Sequence, residues 1–131
     1  MFANMKEIPE QTIQQQAYMW FNNEYCLLRH SPRLLIHSVP NGIPIQIKEQ
    51  ARILDLLQKT GMVNGISDLI VHGVNGRCIM AECKTESGHQ SEAQQLIQRR
   101  IQDLGGKYFV FRSLDDFKQK IQKKIDWLLD K

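Results

Sequence analysis

Between Pro9 and Tyr25 the apolar residues Ile13, Ala17, Trp20 and Phe21 recur at three- and four-residue spacing, the period of one buried helical stripe, and Pro9-Glu10 suits a helix start. Leu34 to Val39 is a short apolar, β-branched run that ends at Pro40-Asn41-Gly42, which predicts a strand leaving into a turn. Ile47 to Thr60 returns to helical spacing through Ala51, Leu54 and Leu57, with Gly61 placed to end it. Ile66 to His72 and Arg77 to Lys84 flank Gly73-Val74-Asn75-Gly76, whose Asn and Gly tolerate positive φ, so the pattern predicts a β-hairpin. Ser91-Glu92-Ala93-Gln94 has the form of a capping box, and Ala93, Leu96, Ile97, Ile101 and Leu104 carry a helix from it to Gly105-Gly106. Lys107 to Arg112 is rich in β formers, and Ser113-Leu114-Asp115-Asp116 caps a last helix reaching Leu129. Helix, strand, helix, hairpin, helix, strand, helix is the order of an α/β fold: a mixed sheet of about four strands flanked by helices, in one domain over residues 1–131.

The hairpin turn decides what its strands bring together. A two-residue turn at Asn75-Gly76 would pair Val74 with Arg77 and set Asp68 opposite Cys83. A three-residue loop of Val74, Asn75 and Gly76, with Gly76 left-handed in a bulge, pairs Gly73 with Arg77 and Asp68 with Glu82. The expected register is the second.

Composition narrows the setting without naming a task. Apolar residues make up 42% and charged residues 24% of 131, the profile of a folded globular protein rather than a disordered one. No apolar run is long enough to span a membrane, and Met1 to Glu10 lacks the form of a secretion signal. Cys26, Cys78 and Cys83 have neither disulfide-framework nor zinc-ribbon spacing, which fits a reducing cytoplasm. The excess of 17 basic over 14 acidic residues permits a nucleic-acid partner but does not demand one.

The candidate chemistry lies at Glu82-Cys83-Lys84. Alternation along a strand puts Glu82 and Lys84 on one face, roughly 7 Å apart. Cys83 then points the other way with Ile79 and Ala81, a buried and unreactive thiol whose backbone carbonyl alone faces the site. In the expected register Asp68 opposes Glu82 with Cβ atoms about 5 Å apart, a repulsive arrangement unless a cation sits between them. Hard oxygen donors suit Mg²⁺ or Mn²⁺ rather than zinc, and Lys84 could orient a water, stabilise phosphoryl charge or serve as a base. The spacing of an acid two before a lysine is nevertheless common. Asp116-Phe117-Lys118 repeats it on a predicted helix, where i and i+2 diverge, so a plain surface ion pair is the competing reading of Glu82 and Lys84.

Asn41-Gly42, Gly65-Ile66-Ser67-Asp68, Glu82-Cys83-Lys84, Ser91-Glu92-Ala93-Gln94 and Gly105-Gly106 before an apolar strand, taken in that order and spacing, resemble the VRR-NUC family. That family is the virus-type replication-repair branch of the PD-(D/E)xK nucleases, and the resemblance runs from about Glu10 to Phe117. It implies a restriction-endonuclease-like core, Mg²⁺ or Mn²⁺ dependence, and hydrolysis of DNA phosphodiesters at branched or flapped structures, in the manner of a Holliday-junction resolvase. Position by position it implies that Asp68 and Glu82 hold metal, that the Cys83 carbonyl completes the protein ligands, and that Lys84 serves the attacking water. Glu10 matches the acidic residue of the family's first helix, which reaches the metal directly or through water; the alternative is a carboxylate that only complements the helix dipole. Gln94 matches a polar position facing the site, and Asn41 a position that could steady the site or a DNA phosphate, unless it is simply a turn residue.

Two departures stand out. Ser67 occupies the place where the family commonly has Pro, which removes a fixed φ but leaves the carboxylate. After Asn41-Gly42 the chain continues Ile43-Pro44-Ile45 rather than Gly and a basic residue, so no DNA contact is carried over there.

The resulting expectation is a metal-dependent DNA endonuclease of the cytoplasm of a bacterial or phage-infected cell, a homodimer if it makes paired cuts. The alternative is a non-catalytic DNA-binding or assembly subunit that keeps the nuclease fold. Lys118, Lys120, Lys123, Lys124, Arg99 and Arg100 are read as solvated helix surface, His30, His37 and His72 as structural, His89 and Gln90 as loop residues within reach of substrate, and Trp20 and Trp127 as packing residues.

Overall fold

The structure is a computed structural model that describes residues 7–39 and 47–131, with the side chains of 47–50 left aside. The elements in chain order are α1 (Glu10–Tyr25), β1 (Leu35–Ser38), α2 (Ile47–Lys59), β2 (Leu69–His72), β3 (Cys78–Cys83), α3 (Glu92–Asp103), β4 (Lys107–Phe111), α4 (Leu114–Gln122) and α5 (Ile125–Leu129). The four strands form one mixed sheet in the order β1-β2-β3-β4. The first three are antiparallel neighbours, and β4 joins β3 in parallel after the α3 crossover. Flanking helices complete the expected α/β architecture.

The hairpin adopts the three-residue register. Leu69 pairs with Ala81 and His72 with Cys78, and the Gly73 N–H donates to the Arg77 carbonyl at 2.8 Å. Val74, Asn75 and Gly76 form a single turn in which Asn75 and Gly76 both take positive φ, 56° and 72°. That left-handed pair is the reason Asn and Gly stand there.

Alternation sorts the strand residues onto two faces. Ile36, Leu69, Val71, Ile79, Ala81, Cys83, Phe109 and Phe111 pack with Ile13, Ala17 and Phe21 of α1 and Phe117 and Ile121 of α4. Phe111 and Phe117 meet edge to face with ring centroids 4.9 Å apart, at the centre of this aromatic core. The opposite face is covered by α3, where Ile97 is buried and Tyr108 of β4 lies beneath it.

Four expectations need correction. β2 begins at Leu69 rather than Ile66, because the Ser67 hydroxyl donates to the Leu69 carbonyl and holds Ile66 to Asp68 as a turn leading into the strand. The last helix is two helices: the Lys124 N–H donates to Ile121, the chain turns, and α5 brings Leu128 to full burial while Trp127 sits between Arg77 and Lys107. No Gly or Pro marks that turn, so the 117, 121, 125, 128 period conceals it. The α2 stripe is not buried: Ala51 and Leu54 are exposed and only Ile53 and Leu57 are half-covered, since α1 and α4 already fill the core face with aromatic rings. In α3, Leu96 and Leu104 are exposed, because only the Ala93, Ile97, Ile101 side of the helix faces the sheet.

Candidate active site

Glu82 is the last residue of β3 before Cys83 on the α3-covered face, and it is 2% exposed. A carboxylate so buried requires partners. The Gln94 side-chain amide donates to Glu82 Oε1 at 2.8 Å, the Tyr108 hydroxyl to Oε2 at 3.4 Å, and Lys84 Nζ lies 3.9 Å from Oε1. Burial first, then the adjacent Asp68 carboxylate, pushes the Glu82 carboxyl up to about 8, against the weaker opposing pull of Lys84 and Tyr108.

Asp68 stands across from Glu82, one step beyond the last paired residues Leu69 and Ala81. Its Oδ2 accepts the Cys83 N–H at 2.7 Å, a charge-assisted bond that fixes the carboxylate at the end of the hairpin. The Ser67 hydroxyl bond to Leu69 holds the same turn from the other side, so serine does here what a fixed proline φ would do. Gly65, at φ +88°, sits against the backbone of Ala93 and Gln94, where any Cβ would clash. This close approach sets the loop before Asp68 against the start of α3.

Gln94 fills two roles with one amide. Its side-chain Oε1 accepts the Ser91 N–H at 2.8 Å while the Gln94 backbone N–H donates to Ser91 Oγ at 3.1 Å, completing the capping box, and the side-chain Nε2 reaches Glu82. The helix start and the acidic pair are therefore tied by a single side chain.

Cys83 is buried as expected, with its thiol pushed up to about 12, first by burial and then by the carboxylates of Asp68, Glu10 and Glu82. Its Sγ donates to the Glu10 carbonyl at 3.5 Å, which seats the first residue of α1 against the end of β3. The Glu10 side chain is exposed at the edge of this cluster. Asn41 lies outside the described residues.

Asp68, Glu82, Cys83, Lys84 and Gln94 thus converge, with Glu10 beside them. Among the described residues no three His, Cys, Asp or Glu side chains form a ready-made ion cage. The two opposed carboxylates nevertheless fit a hard divalent ion, because Mg²⁺ is typically held by one or two carboxylates and completes its shell with water and substrate oxygens. Burial and the neighbouring Asp68 carboxylate both push the Glu82 carboxyl up, a shift that a cation between the two acids would oppose.

Two site neighbours escaped the sequence reading. Tyr108 reaches Glu82 across the parallel β3–β4 pair, in which Glu82 is aligned with Val110, a partnership that no local motif announces. Arg112 Nη1 donates to the carbonyls of Thr85 and Gly88, both at 2.6 Å, and so clamps the loop that follows Lys84. The Ser87 N–H in that loop also donates to Glu7 at 2.9 Å. A lone Arg after a strand carries no signal of this.

The remaining cations are largely engaged in packing. Lys118 lies over Trp20, Lys124 over the Phe109 ring, and Lys120 bonds Asp116 at 3.1 Å. His37 and His72 pair through their Nε2 atoms at 2.9 Å, and the His30 ring accepts the Leu27 N–H. Gln90 bonds Gln98 and Tyr108 under the site. No helix among the described residues is long and apolar enough to cross a membrane.

The sequence matches no protein-family model and no curated protein. Among solved structures the fold is similar to one described as a VRR_NUC domain protein, with a TM-score of 0.68 over 92% of this chain and 91% of that one, at 20% identity. At that identity the likeness is one of fold: this chain has the mixed four-stranded architecture of the VRR_NUC domain.

Proposed function

We propose that this protein is a metal-dependent nuclease that hydrolyses DNA phosphodiesters, with Asp68, Glu82 and Lys84 as its catalytic core. The observation that carries the reading is an opposed pair of acids with a lysine on the same face: Glu82 is 2% exposed, the half-buried Asp68 lies across from it, and Lys84 Nζ is 3.9 Å from Glu82 Oε1. The likeness to a VRR_NUC domain structure supports it.

Asp68 and Glu82 would hold a Mg²⁺ or Mn²⁺ ion, with the Cys83 carbonyl as a third oxygen donor and Glu10 in contact directly or through water. Bound there, the ion would act as a Lewis acid on a phosphate oxygen and lower the pKa of water. Lys84 places a compact positive charge beside the acids, where it orients the attacking water and offsets charge on the phosphoryl oxygens. Gln94 and Tyr108 keep Glu82 aimed by donating to its two oxygens, a positioning role. Arg112 holds the Thr85–Gly88 segment, so that Lys84 enters the site from a fixed backbone.

The substrate proposed is branched or flapped DNA, and paired cuts would call for two copies of the chain. The test is incubation of linear, flapped and four-way DNA with Mg²⁺ or Mn²⁺, comparing wild type with Lys84→Ala and Asp68→Asn. Metal-dependent cleavage that both variants lose is the expected result. Binding without cleavage in the wild type would overturn the enzyme reading in favour of a DNA-binding subunit.

A further inference from the structure

A groove of about 600 Å³ runs along α1, lined by Glu10, Gln11, Gln14, Gln15 and Tyr18 on the helix and by Ser38 at the end of β1. Its helix positions form two adjacent rows, Glu10, Gln14 and Tyr18 at i, i+4, i+8 and Gln11 and Gln15 at i+1, i+5, beside the buried Ile13, Ala17, Phe21 stripe. Ser38 is the β1 partner of Leu69, the residue after Asp68, and the Val39 N–H donates to the Asp68 carbonyl at 3.0 Å. Leu69 lines the groove as well, and Glu10 at its end bonds Cys83 through its carbonyl, so the groove lies next to the acidic site and leads away from it along α1.

We infer that this groove is a subsite for unpaired nucleotides next to the scissile phosphate, binding the bases of a single DNA strand rather than its phosphates. This rests on the nuclease reading above. Glu10 is the only one of these lining side chains charged near neutral pH, so the wall offers no attraction to a phosphate backbone. The glutamine amides carry both donors and acceptors, Gln15 sharing one of its donors with Met19 Sδ at 3.9 Å, and such groups match base edges of any sequence. Tyr18, 38% exposed, supplies a ring on which a base can stack. A groove of this volume suits about two bases and is too small to take in a duplex, whose pairing edges are hidden in any case. Adjacency to the acids through Glu10 and Leu69 selects the occupant: a strand whose phosphate sits at the acids has its neighbouring nucleotides within reach of α1.

The test is fluorescence anisotropy with labelled single-stranded oligothymidylate and with a blunt DNA hairpin, on wild type, Tyr18→Ala, Tyr18→Phe and Gln14→Ala, each checked for an unchanged melting temperature. Tyr18→Ala is expected to weaken single-strand binding at least about tenfold, with Tyr18→Phe close to wild type and hairpin binding changed less than about twofold. Gln14→Ala is expected to move single-strand binding in the same direction by a smaller factor. Equal loss on both DNAs, or no loss on either, would overturn the inference. So would light scattering showing that Tyr18→Ala dissociates a dimer, which would assign the groove to a second copy. Flap cleavage that is indifferent to both groove residues would sink this inference and leave the nuclease reading standing. Groove-dependent single-strand binding without any cleavage would overturn the nuclease reading and leave the groove as a strand-binding site with no scissile phosphate beside it.

Discussion

The two faces of one sheet divide the labour of this protein. On one, Leu69, Val71, Ile79, Ala81 and Phe111 are 0% exposed and belong to one apolar cluster. On the other, alternate residues of the same strands and their ends present Asp68, Glu82, Lys84 and Tyr108, and Glu82 is nearly as buried as any core residue. Burial stabilises the first face, since each large side chain removed from water contributes about 1.5–3 kcal/mol. On the second it raises the free energy of the ionised acid, which is how a fold stores electrostatic need at a site. Cys83, flanked by Glu82 and Lys84, belongs to the first face by side chain and to the second by backbone.

The sharpest break of this contrast comes from the core face. Phe117→Ala should cost about 3–5 kcal/mol, read by urea denaturation, with metal affinity of the folded fraction unchanged. Coupled loss of metal affinity in the folded fraction would show that the faces are not separable. Lys84→Ala should do the opposite, lowering cleavage about 10²- to 10³-fold with little change in stability. Single-turnover rates beside a melting curve check it.

Glu82→Gln tests the acidic face by pH. Because the folded carboxyl is raised to about 8 from an ordinary value of 4.5, the folded state binds more protons than the unfolded one between those limits. Stability of the metal-free protein should therefore fall as pH rises from about 4.5 to 8, then level off. Glu82→Gln should remove that slope and raise stability at pH 8 by roughly 1–2 kcal/mol, while abolishing cleavage. A variant that keeps the wild-type slope would place the proton elsewhere. The smallest effect is expected of Cys83→Ala, about 1 kcal/mol in stability with cleavage retained, since only its backbone faces the acids. Loss of cleavage in a folded Cys83→Ala protein would contradict the division of faces.

Legibility of this molecule in its sequence followed the range of the interaction. Local chemistry was readable: the turn of Val74, Asn75 and Gly76 set the register that opposes Asp68 and Glu82, and Ser91 with Gln94 announced the start of α3. Contacts decided by packing across elements were not. Nothing beside Tyr108 tells that a parallel pairing will hang its hydroxyl near Glu82, and nothing near Arg112 tells that three carbonyls of a distant loop will gather on it. The break between α4 and α5 and the exposure of Leu54, Leu96 and Leu104 have the same origin, since periodicity states which residues share a helix side but not what that side will meet.

The central proposal is that the sheet's polar face holds one divalent ion between Asp68 and Glu82. Titration of Mn²⁺ at pH 8, followed by the loss of the free-ion electron paramagnetic resonance signal, tests it without any DNA. One ion bound per chain, weakening as pH falls and lost in both Asp68→Asn and Glu82→Gln, is the expected result. No binding in the wild type, or binding that both variants retain, would contradict it.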